Sequence, residues 1–207
     1  MKVLVVGAAG KTGRAVVAKA VRAGHQVTAF VHTADGYDVP GVRVHAGDAT
    51  DLDVVEAAVV GQDAVIDTVG GKTPYRHTTL ETSVAKSIIE AMRLHDVRRL
   101  VVTSSVGVGD STANTSFFVK IVVATFLRGS TPDKANMESA VRESGLDWVI
   151  TRPAVLTDKP ATGRIEVMSS GSRTKARAIT RADLAEFLVA RLDGEEYLRA
   201  TVTLGGR

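Results

Sequence analysis

Short aliphatic runs alternate with stretches whose apolar positions recur every three to four residues along the first 150 positions. Lys2–Val6, Gln26–Val31, Val42–Ala46, Asp63–Val69, Arg99–Thr103 and Asp147–Arg152 read as strands. Most are valine-rich, the composition of strands buried in a parallel sheet. Arg14–Ala23, Asp51–Val60, Thr78–His95 and Pro132–Ser144 read as the helices between them. In the third of these, Leu80, Val84, Ile88, Ala91 and Met92 share one face. Gly24 stands where a helix C-cap glycine belongs, Thr50 or Asp51 where an N-cap belongs, and Pro132 in a first turn. A polar loop, Gly107–Ser116, and an apolar helix, Phe117–Arg128, interrupt the series.

This alternation predicts an α/β fold, a Rossmann-like doubly wound parallel sheet with helices on both faces. At 207 residues the chain suits a single domain. Its tail, from about residue 153, holds a strand at Arg164–Met168, a basic loop, a helix at Arg181–Leu192 and a strand at Thr201–Leu204. That tail predicts a small C-terminal cap on the substrate side. Ligands of such sheets bind outside the carboxyl ends of the strands. Gly7–Lys11, His32, Asp48, Thr68–Gly71, Thr103–Ser105 and Arg152–Val155 should therefore converge.

The first of these carries the clearest chemistry. Gly7, Gly10 and Gly13 follow the first strand and open the first helix, in the spacing G-x-x-G-x-x-G. Gly7 permits the turn, Gly10 lets backbone amides reach a pyrophosphate, and Gly13 lets helix and strand pack closely. The amides of a helix N-terminus, here around Lys11 and Thr12, favour phosphate. The second strand ends Ala29-Phe30-Val31-His32, with no carboxylate before Asp35 to take a ribose 2′-hydroxyl. Lys11 and Arg14 add positive charge nearby, and His32 adds more when protonated. The pattern favours NADP over NAD.

Charge and composition exclude other classes. The net charge of +3 is too small to argue for nucleic-acid binding. Absence of cysteine removes disulfides, thiolate catalysis and zinc–cysteine sites, and the five histidines show no metal-ligand spacing. The N-terminus is not a signal peptide, and the apolar run Phe117–Leu127 contains Lys120 and is too short to span a bilayer. A cytoplasmic protein without membrane or nucleic-acid partners is expected, as monomer or homodimer. A P-loop fails because Val5 stands where its first glycine would, and no G-x-S-x-G elbow marks a serine hydrolase. Lys159, Arg164, Arg173, Lys175, Arg177 and Arg181 face one acid, Glu166, between residues 159 and 181. This stretch is either a solvated loop or a landing patch for an anionic substrate or the cofactor's phosphates.

With these pieces in order, the sequence resembles the atypical short-chain dehydrogenase/reductases, in particular the NAD(P)H-binding, NmrA-like and flavin reductase-like group. The matching segments are Gly7–Gly13, Gly47-Asp48, Val101–Ser105, Ser144–Pro153 and Ile179–Ala185, which together span nearly the whole chain. The resemblance implies that Asp48 and Ala49 flank the adenine and that Thr68, Val69 and Gly70 line the nicotinamide ribose. It places Ser104 beside the nicotinamide ring, with Pro153 through Val155 at its carboxamide. Read from the residues alone, the alternative for Asp48 is a turn or N-cap residue and for Ser104 a strand-end turn residue.

Short-chain dehydrogenases that oxidise alcohols use a Tyr-x-x-x-Lys pair, whose lysine lowers the pKa of the tyrosine acid. Lys134 is the candidate for the lysine, but Ser130 stands four residues before it, and Tyr37, Tyr75 and Tyr197 are out of frame. Lys134 either binds the nicotinamide ribose or is a solvated helix lysine. The expected reaction is hydride transfer from NADPH to a flavin-like or quinone-like acceptor, a planar small molecule that takes its proton from solvent. The helix Phe117–Leu127 either walls that acceptor or packs as core or dimer contact. A non-catalytic NADP(H)-binding redox sensor of the NmrA-like type is the alternative.

Overall fold

The computed structural model describes residues 1–71, 77–109, 130–169 and 174–207. The apolar helix expected at Phe117–Arg128, most of the polar loop before it, Tyr75 and Arg173 lie outside the described residues. Strands run in chain order as β1 (Lys2–Val6), β2 (Gln26–Val31), β3 (Arg43–Ala46), β4 (Ala64–Asp67), β5 (Arg99–Thr103) and β6 (Asp147–Pro153). The tail adds β7 (Leu156–Thr157), β8 (Ile165–Met168), β9 (Ile179–Thr180) and β10 (Ala200–Gly206). The helices are α1 (Lys11–Arg22), α2 (Leu52–Val59), α3 (Leu80–Leu94), α4 (Thr131–Arg142) and α5 (Arg181–Ala190).

Eight strands form one sheet in the order β3-β2-β1-β4-β5-β6-β10-β8, parallel throughout except for the antiparallel β10–β8 pair. Side chains of β1 alternate between its two faces: Val3 and Val5 join α1 and α5, whereas Leu4 and Val6 join α2, α3 and α4. Both faces are covered by helices, which is why its sequence is continuously apolar rather than alternating. The tail does two things. β10 and β8 extend the main sheet and α5 packs beside α1, because Val202, Leu204, Leu184 and Leu188 supply apolar faces to both layers. The short parallel β7–β9 ladder stands apart, beyond the carboxyl end of β6.

Helix α3 is capped in trans. Its N-cap residue, Thr79, makes no side-chain cap. The Asp133 carboxylate of α4 instead accepts from the Glu81 and Thr82 amides at 3.0 and 2.9 Å, and from Thr82 Oγ1 at 2.6 Å. One buried acid thus satisfies two orphan amides of α3, the Leu80 amide going to Thr78 Oγ1, and pins α4 against it. Asp133→Ala should lower the unfolding free energy by about 1–3 kcal/mol in urea titration, the range for a lost cap with charged hydrogen bonds. A change below about 0.5 kcal/mol would mean that water replaces the cap at no cost.

Candidate dinucleotide site

The cradle at the end of β1 is built by close approach. Gly7 has φ +77°, and a Cβ there would lie 3.0 Å from the Val69 amide nitrogen. A Cβ on Gly13 would lie 2.2 Å from the Gly7 carbonyl oxygen, so only glycine lets α1 sit this close to β1. The helix begins earlier than its apolar periodicity suggested, at Lys11, with extended Gly10 as N-cap. Gly10 has no side chain to cap the amides, and the first turn holds no acid. The helical ladder opens with Arg14 N–H donating to Gly10 C=O at 2.8 Å, leaving the Lys11, Thr12 and Gly13 amides ahead of it. Uncapped donors at a positive dipole end fit a pyrophosphate.

Around this cradle stand Lys11, Arg14 and Arg181, with the Asp158 carboxylate between Lys11 and Arg181. His32 is exposed just beyond β2. The Arg14 guanidinium lies 4.8 Å from the centroid of the Tyr37 ring, and its Nε donates to Ala9 C=O at 3.2 Å. Burial raises the Tyr37 hydroxyl above its ordinary range, partly offset by the Arg14 charge. Lys11 Nζ reaches Asp158 Oδ2 at 2.8 Å, and Arg181 bonds the other oxygen of that carboxylate. The Lys11 hydrogen bond and the two cations hold the Asp158 carboxyl below its usual range.

Asp48 follows Gly47, whose missing Cβ would meet Val54 Cγ1 at 2.4 Å. Its Oδ1 accepts from the Thr50 amide at 2.9 Å and from Thr50 Oγ1 at 2.8 Å, so it shapes a turn. Those bonds, with His32 beside it, hold its carboxyl low. The N-cap of α2 is Asp51, which accepts from the Asp53 amide at 3.0 Å. Ala49 is half-buried against the α2 and α3 side of the core.

Past β4, Thr68 is fixed by its amide and Oγ1, which donate to Val6 C=O at 3.0 and 2.8 Å. The Val69 amide donates to Asp67 Oδ1 at 2.9 Å, and the Gly71 amide to Glu81 Oε1 at 3.1 Å. Lys134 Nζ also reaches Glu81 Oε1, at 2.8 Å. Glu81 Oε2 is buried without a hydrogen-bond partner among the described residues. Burial pushes the Asp67 carboxyl up to about 7; the Val69 amide and Lys134 oppose this and the Glu81 charge adds to it.

At the end of β5, the Ser104 amide donates to Thr151 C=O at 2.7 Å and the side chain is buried. Its Oγ lies beside the Glu138 carboxylate without completing a well-formed hydrogen bond. Arg152 holds Glu138 with two bonds, of 2.9 and 2.7 Å, and Arg142 adds a third of 2.6 Å. Burial drives that carboxyl up, but Arg152, Ser104 and Arg142 outweigh it and keep it low. Pro153 is buried at the end of β6, and Val155 is 60% exposed on the rim.

The nominated positions other than Lys134, which lies in the first turn of α4, thus gather at the carboxyl ends of six adjacent parallel strands, β3-β2-β1-β4-β5-β6, with the cradle where the strand order reverses. Sequence reading missed Asp67, Glu81, Tyr37 and Asp158. For Asp67 and Glu81 a signal existed: an acid ending an apolar strand, and an acid in the first turn of an apolar-faced helix. Tyr37 and Asp158 left none. No helix among the described residues is long and apolar enough to cross a membrane.

A parallel sheet with a glycine cradle and uncapped helix amides at its switch point is a nucleotide-binding Rossmann fold. Residues 7–195 match the model of the NAD(P)H-binding family, and the chain belongs to that family. The anaerobilin reductase ChuY of Escherichia coli O157:H7 is 26% identical, with a TM-score of 0.80 over 100% of this chain and 97% of that one. An uncharacterized sugar epimerase of Bacillus subtilis, YhfK, is 27% identical over 93% of this chain and 88% of its own. A short-chain dehydrogenase/reductase of Veillonella parvula in complex with NADP shares the fold, at 17% identity and a TM-score of 0.80 over 99% and 94% of the two chains.

The Asp67 carboxyl binds its proton more tightly folded than unfolded, so the folded state holds more protons between about pH 4 and 7. Its contribution to stability therefore falls as pH rises through that window and is constant above it. Asp67→Asn, which mimics the protonated form, should gain stability relative to wild type from pH 4 to 7 in denaturant titrations. A pH-independent difference would mean that Asp67 ionises normally.

Proposed function

We propose that this protein is an NADPH-dependent reductase of a planar, conjugated acceptor of the flavin or quinone kind. The observation that carries the reading is the uncapped amide cradle of Lys11–Gly13 under a rim of cations, with His32 rather than an acid after β2. A 2′-phosphate gains from Arg14, and from Lys11 where it exchanges for the Asp158 carboxylate, whereas an acid at the end of β2 would repel it. Gly7, Gly10, Lys11, Thr12 and Gly13 would hold the pyrophosphate, and Asp48 and Ala49 the adenine. Thr68, Val69 and Gly70 would line the nicotinamide ribose, with Pro153 and Val155 at the carboxamide. The cofactor, when bound, supplies hydride.

Among the described residues, the two nominated groups beside the nicotinamide position rather than donate protons. Lys134 is engaged by Glu81 and Ser104 is buried against Glu138, so neither is a free acid. Tyr37 is engaged by Arg14, and Tyr197 lies before β10, whose first residue pairs within β6, at the opposite end of the sheet. An acceptor that takes its proton from solvent suits this arrangement. The likeness to a protein named as an anaerobilin reductase supports a conjugated acceptor. The same engagement of Ser104 and Lys134 favours a second reading, a redox sensor that binds NADP(H) without turnover.

NADPH oxidation followed by absorbance, across flavins, quinones and linear tetrapyrroles, separates the two. Saturable turnover is expected, with NADPH preferred to NADH and the preference reduced roughly tenfold by Arg14→Ala. Tight NADP binding without turnover would establish the sensor. No binding of either nucleotide would overturn both.

A further inference from the structure

Beyond β2 the chain is exposed from His32 to Gly36 and then drops back into the core at one residue, Tyr37. The Tyr37 amide donates to Ala34 C=O at 3.0 Å and closes a turn. Gly36, at the third position of that turn, has φ +69°, a conformation that glycine adopts without strain. The turn delivers the Tyr37 side chain, 6% exposed, among the residues that pack α1 onto the sheet.

That ring carries the Arg14 guanidinium, whose carbon lies 4.8 Å from the ring centroid. Arg14 comes from the opening turn of α1, so the contact ties the helix to the loop that follows β2. The guanidinium is held at a second point, where its Nε donates to the Ala9 carbonyl of the glycine loop at 3.2 Å. Among the described residues no carboxylate pairs with it, and its two terminal nitrogens carry no hydrogen bond. Lys11, by contrast, is already paired with Asp158.

An exposed arginine ordinarily samples many rotamers, and ordering it on binding costs affinity. Here the ring and the carbonyl supply that order beforehand and leave the phosphate-binding fork of the side chain unused. The Tyr37 hydroxyl is buried without a hydrogen-bond partner among the described residues, so the ring and not the hydroxyl does the holding.

We propose that Tyr37 is a positioning residue of the dinucleotide site: its ring holds Arg14 in place for an adenosine 2′-phosphate and thereby sets the preference for NADP over NAD. It acts through Arg14 and takes no part in hydride or proton transfer. The proposal rests on the NADPH reading above and adds to it the means by which the cofactor is chosen.

The test is the heat of NADP⁺ and NAD⁺ binding, measured without an acceptor. Wild type should bind NADP⁺ more tightly than NAD⁺. Tyr37→Leu, which keeps an apolar side chain in the core, should weaken NADP⁺ roughly fivefold and leave NAD⁺ within about twofold. Tyr37→Met serves the same purpose should Tyr37→Leu fail to fold. Tyr37→Phe keeps the ring and should retain the wild-type preference. In an Arg14→Ala background, Tyr37→Leu should weaken NADP⁺ no further, because its action runs through that arginine. Three results would each overturn the proposal and leave the cofactor reading intact: an unchanged preference in Tyr37→Leu, equal weakening of both nucleotides, or a lost preference in Tyr37→Phe. Additive losses in the Arg14→Ala background would overturn it as well. A wild type that does not distinguish the two nucleotides would overturn the cofactor reading and this proposal with it.

Discussion

The contact between the first strand and the first helix governs the rest of the molecule. α1 stands so near β1 that a methyl group on Gly13 would overlap the Gly7 carbonyl. That spacing brings the uncapped amides over the end of the central strand, where the sheet order reverses. Moving the helix outward by one methyl group would loosen Val16, Val17 and Ala20 in the core and carry the uncapped amides away from the strand end. The requirement is therefore on shape, and glycine meets it by what it lacks.

On the other side of the sheet, α4 carries polar groups where a core helix would carry apolar ones. Asp133, Lys134 and Glu138 point at three different partners: the α3 amides, Glu81, and Arg152. Each buried charge is matched, since an unpaired one would cost far more than the pair returns. Their common effect is to hold the ends of β4, β5 and β6 in fixed relation to two helices. Replacing them with leucines would fill the space yet leave the loops beyond these strands untethered.

Much of this was legible in the sequence, for definable reasons. Strands β1, β2 and β5 are bounded by charges and glycines and read almost to the residue. The cradle was legible because its constraint acts within a few residues of itself. Long-range pairings were not: Asp133 capping α3 from 51 positions away, or Asp158 meeting Lys11 across 147, leaves no local pattern. The tail was half legible. Its elements were found, but that β10 joins the main sheet depends on the open edge of β6, which no local signal reports.

The triad of Lys11, Asp158 and Arg181 has a consequence for how the rim meets ions in solution. Lys11 carries a counter-ion supplied by the chain itself, held against it from the tail. An incoming phosphate has to trade places with a carboxylate rather than land on a bare charge. Such an exchange leaves the number of condensed salt ions nearly constant, so added salt weakens both sides of the trade. Nucleotide affinity should then respond to ionic strength less steeply than a count of rim cations implies, and stray anions gain little purchase on the loop.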